Sequence, residues 1–541
     1  MEVGIALAVA GMLAVALAAA VGPRLRVPAP LILVVLGIGV SLQPPVPVVA
    51  VPPELVLAVI LPPLLYSTSV SVPAMELRRE SGAVSLLSVV LVVVSALVLG
   101  AVFTLLVPGL EYSWGVALAA VISPTDAVAT TIVKRAGVSP RITAILEGES
   151  LLNDASALVL LRAAVAGAAT AVSVWSVAGQ FLWAVVVAVA VGVVVARLAL
   201  AVRARVTDPT VNTVVSFTVP FAASLPAELL DGSGLVAAVA AGLVVGRRGP
   251  RVLGAAHRRS DRENWATLSL LLEGSVFLLM GLEIAGIVED AGGPGVAVRA
   301  LGLAVVALAV VLLLRAAFVA PLLGWLHLGS RRVLAARGRV EAMRRQLEDG
   351  GAVEVRGRTR DLDDPDVRRR WGRRVRSVLA SIDYLAAFPL GPREGAVVVW
   401  AGMRGAVTVA AAQTLPTGSD GPPERPLLVL VAFGVAAVSL LLQGGTLALL
   451  IRRVRPATAD PAAVRQEQEE VRRLVRTFAG SVPPDPAESA EQHRLRQLGV
   501  ARDALLDARD LGVYDSQILG VALAAVDAEQ IALESRSAPE D

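Results

Sequence analysis

Long apolar runs separated by short polar connections set the rhythm of the chain. Thirteen can be marked, at roughly 3–21, 29–42, 53–70, 83–107, 114–133, 141–163, 177–201, 209–226, 232–246, 264–288, 296–326, 394–416 and 426–451. They are continuous and lack the two-residue alternation of a half-buried strand, so they predict helices that are apolar all round. Several fall short of the ~20 residues that cross a bilayer as one straight helix. The pattern changes twice. Residues 327–383 form an insert of mixed charge, with an amphipathic helix expected over Arg337–Leu347 and interruptions at Gly350, Gly351 and Pro365. Residues 456–541 form a tail with helical patterns at Val464–Phe478 and Glu491–Ala508. The expected layout is therefore spans one to eleven over 1–326, the insert over 327–383, spans twelve and thirteen over 384–455, and the tail. Insert and tail are either solvated appendages or parts with a regulatory or membrane-surface role.

Basic residues sort onto one side of this layout. Arg24 and Arg26 follow the first span, Arg78 and Arg79 the third, Lys134, Arg135 and Arg141 the fifth, and Arg197, Arg203 and Arg205 the seventh. Arg247, Arg248, Arg251, Arg258 and Arg259 follow the ninth, Arg331 and Arg332 the eleventh, and Arg452, Arg453 and Arg455 the last. The opposite connections carry Glu111, Glu228, Asp231, Glu289 and Asp290 instead. Positive charge marks the cytoplasmic side, which places the N-terminus outside and the C-terminus in the cytoplasm. A miscount by one span would destroy the alternation. The first span reads as an anchor rather than a cleaved leader: Glu2 replaces a basic start and Arg24 and Arg26 follow it, although Ala18–Ala20 resemble a cleavage site.

Composition agrees. Of 541 residues 55% are hydrophobic and only 18% charged, against about 25% in soluble domains. Soluble enzymes, disordered chains and secreted disulfide scaffolds are excluded. There is no cysteine, and His257, His327 and His493 are too scattered for a metal site. The net charge of +3 contains no nucleic-acid-binding block. No phosphate-binding Gly-x-x-x-x-Gly-Lys motif is present, so no nucleotide cofactor is expected.

The informative residues are the polar ones inside spans, where each ionisable group costs about 2.5–3.5 kcal/mol on insertion scales and faces a bundle interior or cavity. Ser123-Pro124-Thr125-Asp126 lies mid-span in the fifth run. Pro124 removes a backbone donor and disfavours helix at Ser123. A helix broken there offers free carbonyls, the Thr125 hydroxyl and the Asp126 carboxylate, all hard oxygen ligands suited to an alkali cation. The alternative is a proline kink with Asp126 capping the next half-helix. In the sixth run, Glu147, Ser150 and Asp154 share one helix face, with Asp154 near mid-span and Glu147 and Glu149 towards the cytoplasmic end. A carboxylate at that depth can hold a proton at one moment and a cation at another, which is the minimum device for exchanging one for the other. Asn153 beside it does not titrate, so the pair carries one exchangeable charge. In the twelfth run Gly402 and Gly405 loosen the helix around Arg404, which must pair with carboxylates or helix-end carbonyls. Asp126, Glu149 and Glu273 are the available acids. Arg162, Glu283, Arg299 and Arg315 are further charges within runs, the last two without an assigned partner. Two interrupted spans suit transporters built from inverted repeats, whose broken helices meet at the midplane.

With these residues in view, the chain resembles the monovalent cation/proton antiporters, in particular the NhaP-like and eukaryotic sodium/proton exchanger branch. The matching motifs are SPTDAVA at 123–129, EGESLLNDASALVL at 147–160 and WAGMRGAV at 400–407, in order and in the expected spans. The resemblance implies an NhaA-like, all-α, polytopic fold of about thirteen helices with two crossed broken helices, a dimerisation domain and a moving core. It implies that Asp154 is the ion-binding, proton-exchanging carboxylate, with Asp126, Ser150 and the Thr125 main chain completing the cation site. Asn153 matches the Asn-Asp pair of electroneutral exchangers, Glu149 a residue on the cytoplasmic access path, and Arg404 the core arginine of the twelfth helix. Glu273 is read as support for the core network and Glu147 as part of the access path. One departure stands out. Relatives often carry a Glu just after the Pro-Pro-Leu-Leu segment of the third helix, where this chain has Tyr66-Ser67-Thr68. The expectation is an electroneutral sodium (or lithium) for proton antiporter, a homodimer among membrane lipid in a prokaryotic plasma membrane, with no cofactor, no enzymatic activity and no nucleic-acid partner. The rivals are a potassium/proton antiporter and, from another class, a cation channel or non-transporting sensor.

Overall fold

The computed structural model describes residues 2–25, 27–43, 52–169, 174–348, 353–355, 358–360, 365–418, 421–458 and 460–537. Arg26, Gly350 and Gly351 lie outside them. Helix occupies every one of the thirteen apolar runs, as it must where no water is available to satisfy the backbone, and only the fifth and twelfth are interrupted mid-run. The first stretch comprises α1 (Glu2–Leu25), α2 (Ala29–Ser41), α3 (Pro53–Ser71), the short connecting α4 (Ala74–Arg79) and α5 (Ser81–Leu106). A π-type turn at Val56–Ile60 widens α3 just before Pro62 and Pro63, which have no N–H to give the ladder. The fifth run is broken into α6 (Tyr112–Ile122) and α7 (Val128–Arg135), and α8 (Pro140–Ala169) carries the sixth.

The next helices are α9 (Val174–Arg203), α10 (Pro209–Leu229), α11 (Gly234–Val252), α12 (Ala255–Leu282) and α13 (Ile284–Asp290). Asp208 starts α10 by accepting from Thr210 N (2.7 Å) and Val211 N (2.9 Å), with Pro209 at the first helical position. Then α14 (Pro294–Ala335) runs for 42 residues, about 63 Å at 1.5 Å per residue, so it extends well beyond a hydrocarbon core of about 30 Å. Its polar end leads into the insert: α15 (Arg337–Glu348), the antiparallel strands β1 (Val353–Val355) and β2 (Arg358–Arg360), and α16 (Pro365–Ala387). The amphipathic helix expected over 337–347 is α15, whose Leu347 is buried with Val375 of α16.

The twelfth run is broken into α17 (Pro392–Trp400) and α18 (Ala406–Gln413), and α19 (Arg425–Val454) completes the apolar part. The tail folds as α20 (Pro461–Gly480), α21 (Ala490–Leu511) and α22 (Ser516–Ser537). Two of these answer the expected patterns. The third, α22, lies beyond them. Leu519 and Val526 of α22 are buried with Val471, Leu498 and Leu505, so the three helices share a core of their own.

Nine of the described helical stretches are long and apolar enough, each by itself, to cross a membrane, α22 among them. Tyr66, Ala188, Ala196, Val219, Ala237 and Trp265 bury α3 and α9–α12 against one another. Leu118, Ala304, Val311, Ala412 and Val431 join α6, α14, α18 and α19 in a second cluster, which holds one half of each broken helix. Large apolar side chains such as Leu17, Trp183, Leu198, Val298 and Leu313 point outwards, as lipid-facing residues do. Gly37 serves within the chain: a Cβ there would stand 2.6 Å from the Leu278 carbonyl and 2.8 Å from the Cα of Gly281, so α2 and α12 touch backbone to backbone.

Candidate functional site

Two breaks face each other. Residues 123–127 separate α6 from α7, and residues 401–405 separate α17 from α18. A helix ending inside a membrane leaves carbonyls at one end and N–H groups at the other without partners, equivalent to partial negative and positive charges. Four such ends meet here. Arg404 serves the two carbonyl ends: its Nε donates to the Ile122 carbonyl at the end of α6 (3.0 Å), and its Nη1 donates to the Gly402 carbonyl beyond α17. Asp126 caps one N–H end and lies against the other. Its Oδ1 accepts from Val128 N at the start of α7 (2.8 Å), and its Oδ2 occupies the space that a Cβ on Gly405 would take at the start of α18. The breaks are also joined directly, since Asp126 N donates to the Met403 carbonyl at 2.7 Å. Ser439 of α19 holds the second break by accepting from Arg404 N at 2.9 Å. Of the partners open to Arg404 by sequence, helix-end carbonyls are the ones it binds, and no ion pair with Asp126, Glu149 or Glu273 is formed. The carboxylate cap expected of Asp126 and the crossing of broken helices are one arrangement.

Helix α8 lies beside this crossing. Asn153 Nδ2 donates to Thr125 Oγ1 at 2.7 Å, and Thr125 Oγ1 lies 3.5 Å from Glu149 Oε1. Asn153 Oδ1 is buried without a protein hydrogen bond, leaving one more oxygen beside Thr125. Glu149 is itself buried and held bidentately by Arg315 of α14, with Nη2–Oε2 at 2.7 Å and Nη1 on Oε1. Arg315 Nε donates in turn to the Val398 carbonyl of α17 at 3.0 Å, and the bare backbone of Gly402 makes room for its guanidinium. Glu149 is thus enclosed in the protein rather than open to water. The sequence signal for this pair is a lone arginine in mid-run and an acid 166 positions away, towards the cytoplasmic end of its own run.

Asp154 and Ser150 sit on the same face of α8, at 7% and 9% exposure. Asp154 makes no hydrogen bond or ion pair among the described residues, although Asp126 is near enough to act on it through its charge. Glu147, one turn before Ser150, is paired with Lys134 of α7. A cavity of about 740 Å³ reaches Ser150 and is lined by Ala127, Thr130, Thr131, Glu147 and Glu273. Glu273 of α12 has no hydrogen-bond or ion-pair partner among the described residues. At the departure on α3, Ser67 shares a 2.8 Å hydrogen bond with Ser269, one turn before Glu273, and both serines line the cavity. The structure therefore brings Asp126, Thr125, Asn153, Glu149, Ser150 and Asp154 around the crossing. It places Glu147 and Glu273 on the cavity wall.

The arrangement offers oxygen ligands, carboxylates without a protein partner at Asp154 and Glu273, and a cavity that reaches Ser150, which is chemistry for binding a cation or a proton in turn. Comparison with known proteins agrees. The transmembrane sodium/hydrogen exchanger family model matches residues 12–337. An uncharacterized Na(+)/H(+) exchanger of Mycobacterium tuberculosis is 30% identical over 525 residues, covering 89% of this chain and 87% of the relative. One from Escherichia coli is 38% identical over 247 residues, covering 44% of this chain and 45% of that protein. The solved structure of the sodium proton antiporter MjNhaP1 from Methanocaldococcus jannaschii superposes with a TM-score of 0.56 over 84% of this chain and 99% of that one, at 16% identity, and so shares the fold. The chain belongs to the sodium/hydrogen exchanger family.

Proposed function

We propose that the protein is an electroneutral secondary antiporter of a prokaryotic plasma membrane that exchanges sodium or lithium for a proton at Asp154. The observation that carries this reading is the crossing itself. Arg404 binds the two carbonyl ends, and Asp126 caps α7 and lies against the start of α18, so among the acids of α8 and the first break Asp154 is the one left without a protein partner. At one face Asp154 gives up its proton and takes a cation together with Thr125, Asp126 and Ser150. At the other the cation leaves and a proton replaces it. Because the two ligands exclude each other at one carboxylate, each biases which state the other meets, and the gradients alone drive the cycle. In this reading the chain crosses the membrane thirteen times with its tail in the cytoplasm, supported by helix in every run and by the one-sided arginines. Assembly as a homodimer is part of it, to be read from the mass of the purified particle.

Purified protein in liposomes tests the function. Sodium or lithium added on one side should dissipate a preset pH gradient, and shunting the membrane potential should leave the rate unchanged. A response to potassium alone would make it a potassium/proton antiporter. Cation current without proton movement would make it a channel, and silence to every cation would leave a sensor.

Two variants probe the wall and the crossing. Glu273→Gln should raise the sodium concentration needed for half-maximal rate several-fold with little change in the maximum, because Glu273 stands on the approach. An unchanged concentration dependence would remove it from the pathway. Gly405→Ala drives a methyl group into the Asp126 carboxylate, an overpacking of about 1–3 kcal/mol, and exchange should fall about tenfold or more. Wild-type rates in correctly inserted Gly405→Ala protein would show that the carboxylate need not lie there.

A further inference from the structure

We infer that the seam between α4, α5 and α8 on one side and α9 and α11 on the other holds an anionic phospholipid, its phosphate among Arg78, Arg197, Arg247 and Arg248. The inference does not depend on the exchange reading. A second cavity, of about 540 Å³, lies in this seam, and its wall includes neither Ser150 nor Asp154. The two sides belong to differently packed groups. Ala83 and Leu87 of α5 and Ile142 of α8 share a core with Met403 at the second break. Ala196 of α9 and Ala241 of α11 are buried instead with Tyr66, Val219 and Trp265 of α3, α10 and α12.

Two kinds of surface meet in this cavity. Leu77, Val84, Leu152, Val193 and Leu243 line it with hydrocarbon. Beside them stand the four arginines and no acid. All four are exposed, and none makes a side-chain hydrogen bond or ion pair among the described residues. The acids that could have neutralised them are used elsewhere. Glu80 is paired with Arg141, and Glu76 lines the larger cavity. Asp507 and Asp510 of α21 go to Arg251, one turn beyond Arg247, at 2.8 and 2.7 Å. The group that does approach Arg247 is another cation: Arg509 Nη2 donates to its carbonyl at 3.0 Å.

Like charges gathered at the edge of a hydrocarbon wall repel one another, and an anion between them relieves the repulsion. Basic pockets between membrane helices take lipid phosphates for this reason. Arginine suits the task, because its planar fork makes two parallel hydrogen bonds to phosphate oxygens. A soluble anion would satisfy the arginines and leave the apolar wall facing water. A phospholipid satisfies both, its acyl chain lying along Leu152, Val193 and Leu243. The neighbouring surface suits that chain, since Val194 and Leu198 of α9, next to Val193 and Arg197, are exposed outward-facing apolar residues. The four arginines follow the third, seventh and ninth apolar runs, so the headgroup sits at the basic boundary of the membrane. Held there, the lipid joins the group that carries the breaks to the group that packs on α3.

The test uses the full chain in an uncharged detergent and reads no ion exchange. Phosphatidylglycerol should raise the unfolding midpoint by several degrees more than phosphatidylcholine with the same acyl chains, and inorganic phosphate should leave it unchanged. Arg197 and Arg248 line this cavity and not the larger one. Arg197→Gln with Arg248→Gln should bind phosphatidylglycerol about thirtyfold more weakly, while Arg331→Gln with Arg332→Gln, at the far end of α14, should keep the parent's preference. A second readout leaves all the arginines in place. The chain has no cysteine, so Ser85→Cys on the cavity wall is a unique thiol. It should react with N-ethylmaleimide several-fold more slowly in phosphatidylglycerol liposomes than in phosphatidylcholine liposomes. Equal stabilisation by the two lipids, a preference that survives the loss of Arg197 and Arg248, or equal labelling of Ser85→Cys in the two liposomes overturns the site. Stabilisation by inorganic phosphate equal to that by phosphatidylglycerol makes the occupant a free anion and overturns the lipid.

Discussion

Asp154→Ala should reduce cation-driven proton movement to that of protein-free liposomes, with the protein still folded and inserted. The reason lies in how the neighbouring acids are used. Asp126 is committed to Val128 N and to the start of α18, Glu147 to Lys134, and Glu149 to Arg315. Among the acids of α8 and the first break, Asp154 alone has no fixed protein partner. A group already paired gains little by exchanging its partner for sodium, because the lost ion pair offsets the new contact. An unpaired carboxylate at membrane depth is costly when charged and empty, so it is driven to hold either a proton or a cation. That compulsion couples the two fluxes. Alanine removes both ligands' shared anchor at once, so the loss should be complete and should appear equally with sodium and lithium. Asp154→Glu keeps the chemistry but moves the carboxylate by one methylene, and should retain exchange with a shifted pH profile. The decisive comparison is proton flux against sodium concentration in the three proteins at matched protein density. Undiminished exchange by Asp154→Ala would remove Asp154 from the mechanism and with it the single-carboxylate cycle.

How much of this was legible beforehand follows from which interactions are local. Pro124 and the Gly402–Gly405 pair announce the two breaks because backbone donors and side-chain volume are properties of the residue itself. Asn153 and Asp154 declare a single titrating charge for the same reason. Partner choice is a property of packing. Arg404 was free to bind acids or carbonyls, and it binds Ile122 and Gly402 because the crossing delivers two helix ends to it at close range. Glu149 looked like an access residue near the end of its span. Its burial became visible only once α14 brought Arg315 against it. The tail shows the same limit on a larger scale. Its charge pattern reads as solvated, yet Asp527 and Arg258 lie 269 positions apart and face each other in a buried pair.

The Glu149–Arg315 pair gives the largest expected effect on stability. Each side chain is 2% exposed, and the pair links α8 to α14 and, through Arg315 Nε and the Val398 carbonyl, to α17. Removing one partner strands a charge in a medium that cannot solvate it. Glu149→Ala and Arg315→Ala should each cost about 3–5 kcal/mol, read as a fall of several degrees in the unfolding midpoint in detergent and as poor insertion yield. Removing both charges with apolar residues of similar size, as in Glu149→Leu with Arg315→Met, should restore much of that loss, because the large penalty is for the orphaned charge rather than for the missing pair. Exchange separates from stability here. Glu149 Oε1 lies 3.5 Å from the Thr125 hydroxyl, which in turn accepts from Asn153, so the stable double variant lacks the group that orients this oxygen beside Asp154. It should fold well and bind sodium more weakly than the parent. If each single variant is as stable as the parent, the pair is not what joins these helices. If the double variant is no more stable than the singles, the cost lies in lost packing around Gly402 and not in charge.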